Sequence, residues 1–255
     1  MISGRVEVEA MRQRNPRLPK ECIYCRAVVA RKPKEGEKKL SREHVPPQGL
    51  FPSAFKHNLL TVPCCVDCNG EKSQNDEFLR DVLVVVAEGK TPSANAIFER
   101  GTLASWKKHP TKRREWADRL EFYQSSFIFH PPVPRLNIEG DRVRRAISDI
   151  AKGFVFAHHG VLLEPGFHFD VSPVDGHFID ELMSQTPSVP YHIGDAAIFR
   201  VQSLLLEAGD FLVHLNFYGG VHWIAMSPNA RRIIFPESEP GTGVSIRLER
   251  FRDGR

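Results

Sequence analysis

The chain has no long apolar stretch. Its longest purely apolar run is the six residues from Val82 to Ala87, whereas a helix that crosses a bilayer needs about 20. A transmembrane helix and a membrane partner are therefore not expected. The opening residues, Met1-Ile-Ser-Gly-Arg-Val-Glu-Val-Glu9, mix charges where a secretory leader would carry an apolar segment, so the expectation is a cytoplasmic protein. Cysteine is missing from the 187 residues after Cys68, which confines any thiol chemistry to the first part of the chain. Strong net charge is also missing. At +4, the balance is too mild by itself to argue for nucleic acid.

The rest of the composition is ordinary. Apolar residues make up 41% and charged residues 26% of 255 positions, which excludes disorder for the bulk of the chain and leaves room for one large domain or two modest ones. The charge is unevenly spread. Residues 1–90 carry 16 basic and 12 acidic side chains, residues 91–122 carry 7 and 4, and residues 123–255 carry 12 and 15. A basic half is what a polyanion-binding surface needs, although a solvated charged face gives the same count.

The five cysteines are Cys22, Cys25, Cys64, Cys65 and Cys68. Disulfides do not persist in a cytosolic chain, so two close pairs are better read as thiolate ligands of a metal. Cys22-Ile-Tyr-Cys25 and Cys65-Val-Asp-Cys68 each let two sulfurs reach one ion, and together they complete a tetrahedral site suited to structural Zn2+. Cys64 is left over as a small buried thiol. A thioredoxin-like redox pair would need a βαβ context that the sequence does not provide.

Between the pairs lies Ser41-Arg42-Glu43-His44-Val45-Pro46-Pro47, and the second pair continues as Cys68-Asn69-Gly70-Glu71-Lys72-Ser73. An acidic residue followed by His between two C-x2-C knuckles, with Asn directly after the last Cys, resembles the HNH endonuclease family over roughly residues 21–90. The resemblance implies a zinc-stapled ββα-metal fold, with the His on a β-hairpin and the Asn at the start of the following helix. It also makes Glu43 and Asn69 the ligands of a catalytic Mg2+ or Mn2+. Two features depart from the pattern: the acidic residue is Glu where Asp is commoner, and no His follows Asn69 until His109.

The residue types suit the chemistry without the family. Phosphodiester hydrolysis needs an activated water, compensation of charge at phosphorus and help for the leaving oxygen. An imidazole can supply the first, and a divalent cation the other two. His44 is thus the expected general base. Glu43 should face the opposite way along a strand, free to hold a cation through oxygen. Asp76 lies seven residues past Asn69, two helical turns or ~10 Å away, which suits a supporting role or, with Ser73, a capping box. Lys72 is a candidate phosphate contact or simply an exposed lysine. His57 is expected in a surface loop.

From Asn69 a helix should run to Ala87, followed by a polar helical segment over residues 93–122. That segment carries Trp106-Lys-Lys-His-Pro-Thr-Lys-Arg-Arg-Glu-Trp116. The two tryptophans either stack on nucleic acid beside the cations or, as the commoner arrangement, pack inward while the charges face water. Pro131-Pro-Val-Pro134 reads as a linker. Beyond it, Val143, Ile147, Ile150, Phe154 and Ala157 mark one face of a helix over Asp141–His159, closed by Gly160. His158 and His159 suit the dipole at that helix end. A strand over Phe167–Ser172 and a short helix around Asp175–Met183 follow. The alternating runs Ala197–Leu205, Asp210–Tyr218 and Val221–Met226 then predict an antiparallel meander, and a loose tail follows them. No phosphate loop, nucleophile elbow or metal spacing occurs in this half.

The sequence therefore predicts an α+β protein with a basic N-terminal segment (1–20), an HNH nuclease domain (21–90), a helical basic connector (91–132) and a C-terminal α+β module (133–255). The expected function is metal-dependent endonuclease action on nucleic acid, with DNA as the expected substrate and the C-terminal module as a place for a partner or regulator. The alternatives are a zinc-stapled module that binds DNA or protein without cutting, and a host-defence effector whose nuclease waits on a signal from the C-terminal module.

Overall fold

The computed structural model describes residues 20–87, 91–123, 133–184, 190–193, 198–206, 209–230 and 245–247. Strands β1 (Val29–Ala30), β2 (Lys38–Val45) and β3 (Leu60–Cys65) form one sheet in that order. β2 and β3 are antiparallel, pairing Leu40 with Cys65 and Val45 with Leu60. The connection between them contains two 3-10 turns, Gln48–Leu50 and Ser53–Asn58, each entered through a proline whose fixed φ suits the first turn of a helix. His57 lies in the second of these turns.

Helix α1 (Val66–Val86) leaves β3 directly. It begins three residues before Asn69 because Cys65 is its N-cap: the Cys65 sulfur accepts from the Cys68 amide at 3.4 Å. The expected capping box at Ser73 consequently falls inside the helix, where the Ser73 hydroxyl donates to the Gly70 carbonyl instead.

The connector is broken, not continuous. It comprises α2 (Pro92–Ile97), a π turn (Phe98–Leu103), α3 (Ala104–Lys108) and α4 (Pro110–Asp118). The break falls at His109, which has φ −125° and ψ 84°, because the ring of Pro110 disfavours helical backbone in the residue before it. Trp106 and Trp116 stack with ring centroids 5.5 Å apart, and Trp116 is buried, so the inward packing is the one adopted. The expected linker differs too. Pro131 and Pro132 lie outside the described residues, but Val133 and Pro134 begin strand β5 (Val133–Asn137), which pairs with β4 (Leu120–Tyr123) and with β11 (Ser245–Arg247).

Helix α5 (Gly140–His159) ends at Gly160, whose φ of 68° is the left-handed cap that glycine adopts most easily. Its apolar stripe Val143, Ile147, Ile150 and Phe154 is fully buried. It packs on a five-stranded sheet ordered β6 (Asp170–Pro173), β10 (Val221–Met226), β9 (Phe211–Phe217), β8 (Phe199–Leu205) and β7 (Tyr191–Ile193). The meander is thus formed as its alternation predicts, with β6 and β7 added at the edges. Helix α6 (Gly176–Ser184) contributes Ile179 and Met183 to a smaller cluster with Leu204, Leu212 and Ile224. The tail around Pro236 and Pro240 lies outside the described residues.

One cluster of buried apolar side chains runs from Ile23, Val45 and Leu79 through Ile147 and Phe154 to Phe199 and Trp223. The hairpin with α1 and the second half of the chain therefore share a core. Among the described residues, no helix is long and apolar enough to cross a membrane.

Candidate functional site

The sulfurs of Cys22, Cys25, Cys65 and Cys68 lie within 4.8 Å of one another, at the point where the first C-x2-C turn meets the start of α1. This group could hold a metal ion. A tetrahedral site with metal–sulfur bonds of about 2.3 Å sets its sulfurs about 3.8 Å apart, and the Cys25 and Cys65 sulfurs are 3.8 Å apart. Cys64 stands outside the group. Its hydrogen bond to Cys22 and its burial hold its proton on well above the usual thiol range, and the same bond lowers Cys22 to about 4. The Cys64 sulfur also lies 3.2 Å from the Cys65 carbonyl oxygen.

β2 alternates its side chains as a strand must, so Glu43 and His44 face opposite ways. Glu43 is 5% exposed and turns toward α1. His44 is half-buried, and its Nε2 lies 2.9 Å from the Gln48 amide nitrogen. An amide nitrogen only donates, so His44 Nε2 accepts and the imidazole carries its proton on Nδ1. Burial lowers the His44 pKa below the ordinary imidazole value, which keeps the ring neutral at physiological pH.

Around Glu43 the structure gathers charges that the sequence did not connect. Lys72, 7% exposed, sets its ammonium 3.6 Å from Glu43, 3.9 Å from Asp76 and 3.9 Å from Asp149, with the Tyr24 ring centroid 4.9 Å away. Lys72 and Asp76 meet because they are four apart on α1. Burial alone would lower the Lys72 pKa, but Asp76, Asp149 and Glu43 outweigh it and hold it above its ordinary value. Burial pushes Glu43 up to about 7, with Lys72 opposing. Burial likewise pushes Asp76 up to about 6. Asp76 Oδ1 is buried with no hydrogen-bond partner, and Asp149 also pairs with Lys152 at 3.2 Å.

Of the residues singled out from the sequence, Glu43, Lys72 and Asp76 come together, and His44 stands on the reverse face of the same strand. Asn69 does not join them: its amide nitrogen donates to Ser41 Oγ at 3.0 Å, one helical turn before Lys72. Lys72 is also not the exposed phosphate contact weighed above. Sequence reasoning missed Asp149, which arrives from α5 in the other half of the chain, and Tyr24. Tyr24 lies inside the first C-x2-C turn, where that spacing was the only signal.

His158 and His159 differ from their dipole reading. Both rings contact Ser203 Oγ, at 2.5 and 3.1 Å, and burial pushes His158 down to about 4. It is a neutral ring, without the charge that a helix end would favour. No protein-family model, curated protein or solved structure matches this chain.

Proposed function

We propose that the chain is an HNH-type endonuclease whose hairpin and α1 form a zinc-stapled ββα-metal unit and whose His44 is the general base of phosphodiester hydrolysis. The observation that carries this reading is the division of labour at one point of β2, with a neutral, accessible imidazole on one face and a buried carboxylate cluster on the other. The four-cysteine group supports zinc, since four sulfurs within 4.8 Å of one another suit a structural ion with no open coordination position. DNA is the proposed substrate.

His44 Nε2 carries the basic lone pair, which accepts from the Gln48 amide, so the attacking water takes the place of Gln48 at that nitrogen. Through it, His44 takes a proton from a water molecule as the water oxygen bonds to phosphorus. The P–O bond to the leaving oxygen then breaks, and that oxygen takes up a proton from solvent. Glu43 and Asp76 are the oxygen donors that would hold a hard cation such as Mg2+ or Mn2+, Asp76 Oδ1 being buried with no hydrogen-bond partner, and the Lys72 ammonium, 3.6 and 3.9 Å from them, would have to yield its place to it. Bound there, such a cation would supply Lewis-acid stabilisation of charge at phosphorus. Asn69, engaged with Ser41, is the weaker candidate ligand. Lys72 keeps the carboxylates from repelling one another, and Asp149 extends this role to the second half of the chain.

A second reading has its own support. Glu43 is almost wholly buried and already paired with Lys72, as in a purely structural ion cluster, and the unit would then bind nucleic acid without cutting. Supercoiled plasmid incubated with the purified chain and Mg2+ or Mn2+ separates the two. Relaxation that EDTA abolishes supports the nuclease. Intact plasmid under every condition sinks it in favour of the binding module.

A further inference from the structure

Between positions 100 and 114 the chain carries six cations, Arg100, Lys107, Lys108, Lys112, Arg113 and Arg114, and no aspartate or glutamate. The structure sorts them. Lys112 turns inward and pairs with Glu77 at 2.7 Å and Asp81 at 2.8 Å, which ties α4 to α1. The other five are exposed, and none of them makes an ion pair among the described residues. They stand on the π turn, α3 and α4, with the bend at His109 between Lys107-Lys108 and Arg113-Arg114.

We infer that this ridge of Arg100, Lys107, Lys108, Arg113 and Arg114 is a docking surface for the phosphate backbone of nucleic acid. The inference deepens the nuclease reading, on which it rests for the identity of what is held. Four observations favour a backbone over any other occupant. The five exposed cations make no ion pair among the described residues and outnumber the exposed acids of the same elements, Glu99, Glu115 and Asp118, which leaves the net positive charge that a polyanion partner requires. The aromatic rings of the segment are used up in the core, Trp106 on Trp116 and Trp116 on Phe78 with centroids 5.6 Å apart. They are therefore not offered to unstacked bases, and the contact carries charge without base readout. No large apolar side chain is exposed between Lys107 and Glu115, so the ridge lacks what an amphipathic helix inserts into a membrane surface.

The fourth observation is the ground on which the ridge stands. A groove of about 610 Å³ opens beside it, lined by Lys108, Lys112, Arg119 and Arg142 together with Glu77, Asp81 and Glu115, the first two of these acids being paired with Lys112. Arg119 and Arg142 both lie over the Phe78 ring, at 5.3 and 4.3 Å, and both pair with Glu139. The groove floor is therefore rigid. Asp76 and Lys72 are on the same helix, and Arg80 of that helix passes Gly49, the neighbour of Gln48. The ridge is tied to the helix that carries Lys72 and Asp76 through the Lys112 pairs with Glu77 and Asp81.

The test measures binding of the full chain to a fluorescent 30-base-pair duplex of arbitrary sequence, by anisotropy across a salt series without added divalent cation. The comparison is wild type against Lys107→Gln/Lys108→Gln/Arg113→Gln/Arg114→Gln, and thermal unfolding confirms that both are equally folded. Each lost phosphate contact should remove about 0.9 from the log–log salt slope. The expected result is a slope shallower by about 2 to 4 and an affinity at least tenfold weaker at 0.1 M salt. Equal slopes and affinities overturn the ridge. So does a wild type that ignores the duplex but binds phosphatidylserine vesicles or poly-glutamate. If the quadruple variant fails to fold, Lys107→Gln/Lys108→Gln alone should still give a shallower slope. Because binding is read without cleavage, a ridge that holds DNA stands even if the chain never cuts, and a ridge that fails leaves the role of His44 untouched.

Discussion

Gly153 of α5 lies flush against Val45 of β2: a Cβ built on Gly153 would come 2.5 Å from Val45 Cγ2 and 2.8 Å from Cγ1. The helix that organises the second half of the chain is thereby pressed onto the strand that carries Glu43 and His44. One turn earlier on that helix, Asp149 reaches Lys72. A side chain at 153 would push the two apart, and both the shared core and the charge cluster depend on this contact.

Gly153→Ala should therefore destabilise the fold by roughly 1–3 kcal/mol through overpacking, although alanine is the better helix former. Gly70→Ala is the matched control, because a Cβ at Gly70 meets nothing within 4 Å. That change should be neutral or stabilise by up to about 1 kcal/mol. Denaturant unfolding of the two variants checks the contrast, and equal effects would mean that the close approach does not exist in solution.

One zinc per chain is expected by elemental analysis. Cys25→Ser or Cys65→Ser should lose it and unfold the hairpin and α1, since metal binding supplies folding energy to a unit with little core of its own. Cys64→Ser should keep the metal. Loss of zinc from Cys64→Ser with retention in Cys65→Ser would reverse the ligand assignment.

His44→Ala should lower plasmid cleavage by about 10²–10⁴-fold while secondary structure, zinc content and DNA binding stay as in wild type. The sequence alone points to a rate that rises through pH 6 to 8. Burial moves the inflection below the ordinary imidazole pKa, so the rate should already be near its plateau at pH 7. A cleavage rate that is unchanged by His44→Ala excludes it as the base.

Lys72→Met removes the cation that, among the described residues, touches Glu43, Asp76 and Asp149 together. Leaving buried carboxylates uncompensated should cost about 3–5 kcal/mol at neutral pH. Adding Asp76→Asn to Lys72→Met should recover part of that loss, because it removes one of the stranded charges, whereas Asp149 keeps its pair with Lys152. A double variant no more stable than Lys72→Met would show that the three carboxylates do not share this lysine.

Burial holds His158 at about 4 and His214 at about 3, well below their unfolded values near 6.5. Above pH 6.5 both states leave these rings neutral, and no stability depends on them. As pH falls, the unfolded chain takes up protons that the fold refuses, at a cost of about 1.4 kcal/mol per pH unit for each ring. The loss levels off below the folded pKa values. Glu43 and Asp76, raised by burial, act in the opposite sense between about pH 4 and 7. The measurement is therefore a comparison with His158→Gln/His214→Gln, whose stability should fall less than wild type between pH 6.5 and 4. Parallel profiles would show that the rings titrate normally.

Much of this protein was legible before its structure because the relevant forces act over a few residues. Each C-x2-C turn brings its own two sulfurs together through local backbone geometry, and the tertiary fold sets the Cys22, Cys25, Cys65 and Cys68 sulfurs side by side. The apolar stripe of α5 states which face is buried, and the runs of the meander state where its strands lie, although those strands are buried on both faces. Strand alternation separates Glu43 from His44 without any tertiary information. The start of α1 was displaced by a few residues because a cysteine N-cap is outside the usual capping pattern of Ser, Thr, Asp or Asn.

Only the tertiary structure decided what those faces meet. That Lys72 is a buried hub and not a surface lysine depends on Asp149 arriving from another helix, and no pattern within either segment encodes that pairing. Inward packing of Trp106 and Trp116 was the commoner of two arrangements open to the sequence, and the contacts of Trp116 with Phe78 and of Trp106 with Phe98 decide for it while their neighbouring cations stay exposed. His158 sits at a helix end that would favour its charge, yet burial beside Ser203 keeps it neutral. Charge and aromaticity are properties of a residue, whereas burial and partners are properties of its place in the fold, and at Lys72, Trp116 and His158 the place decides the chemistry.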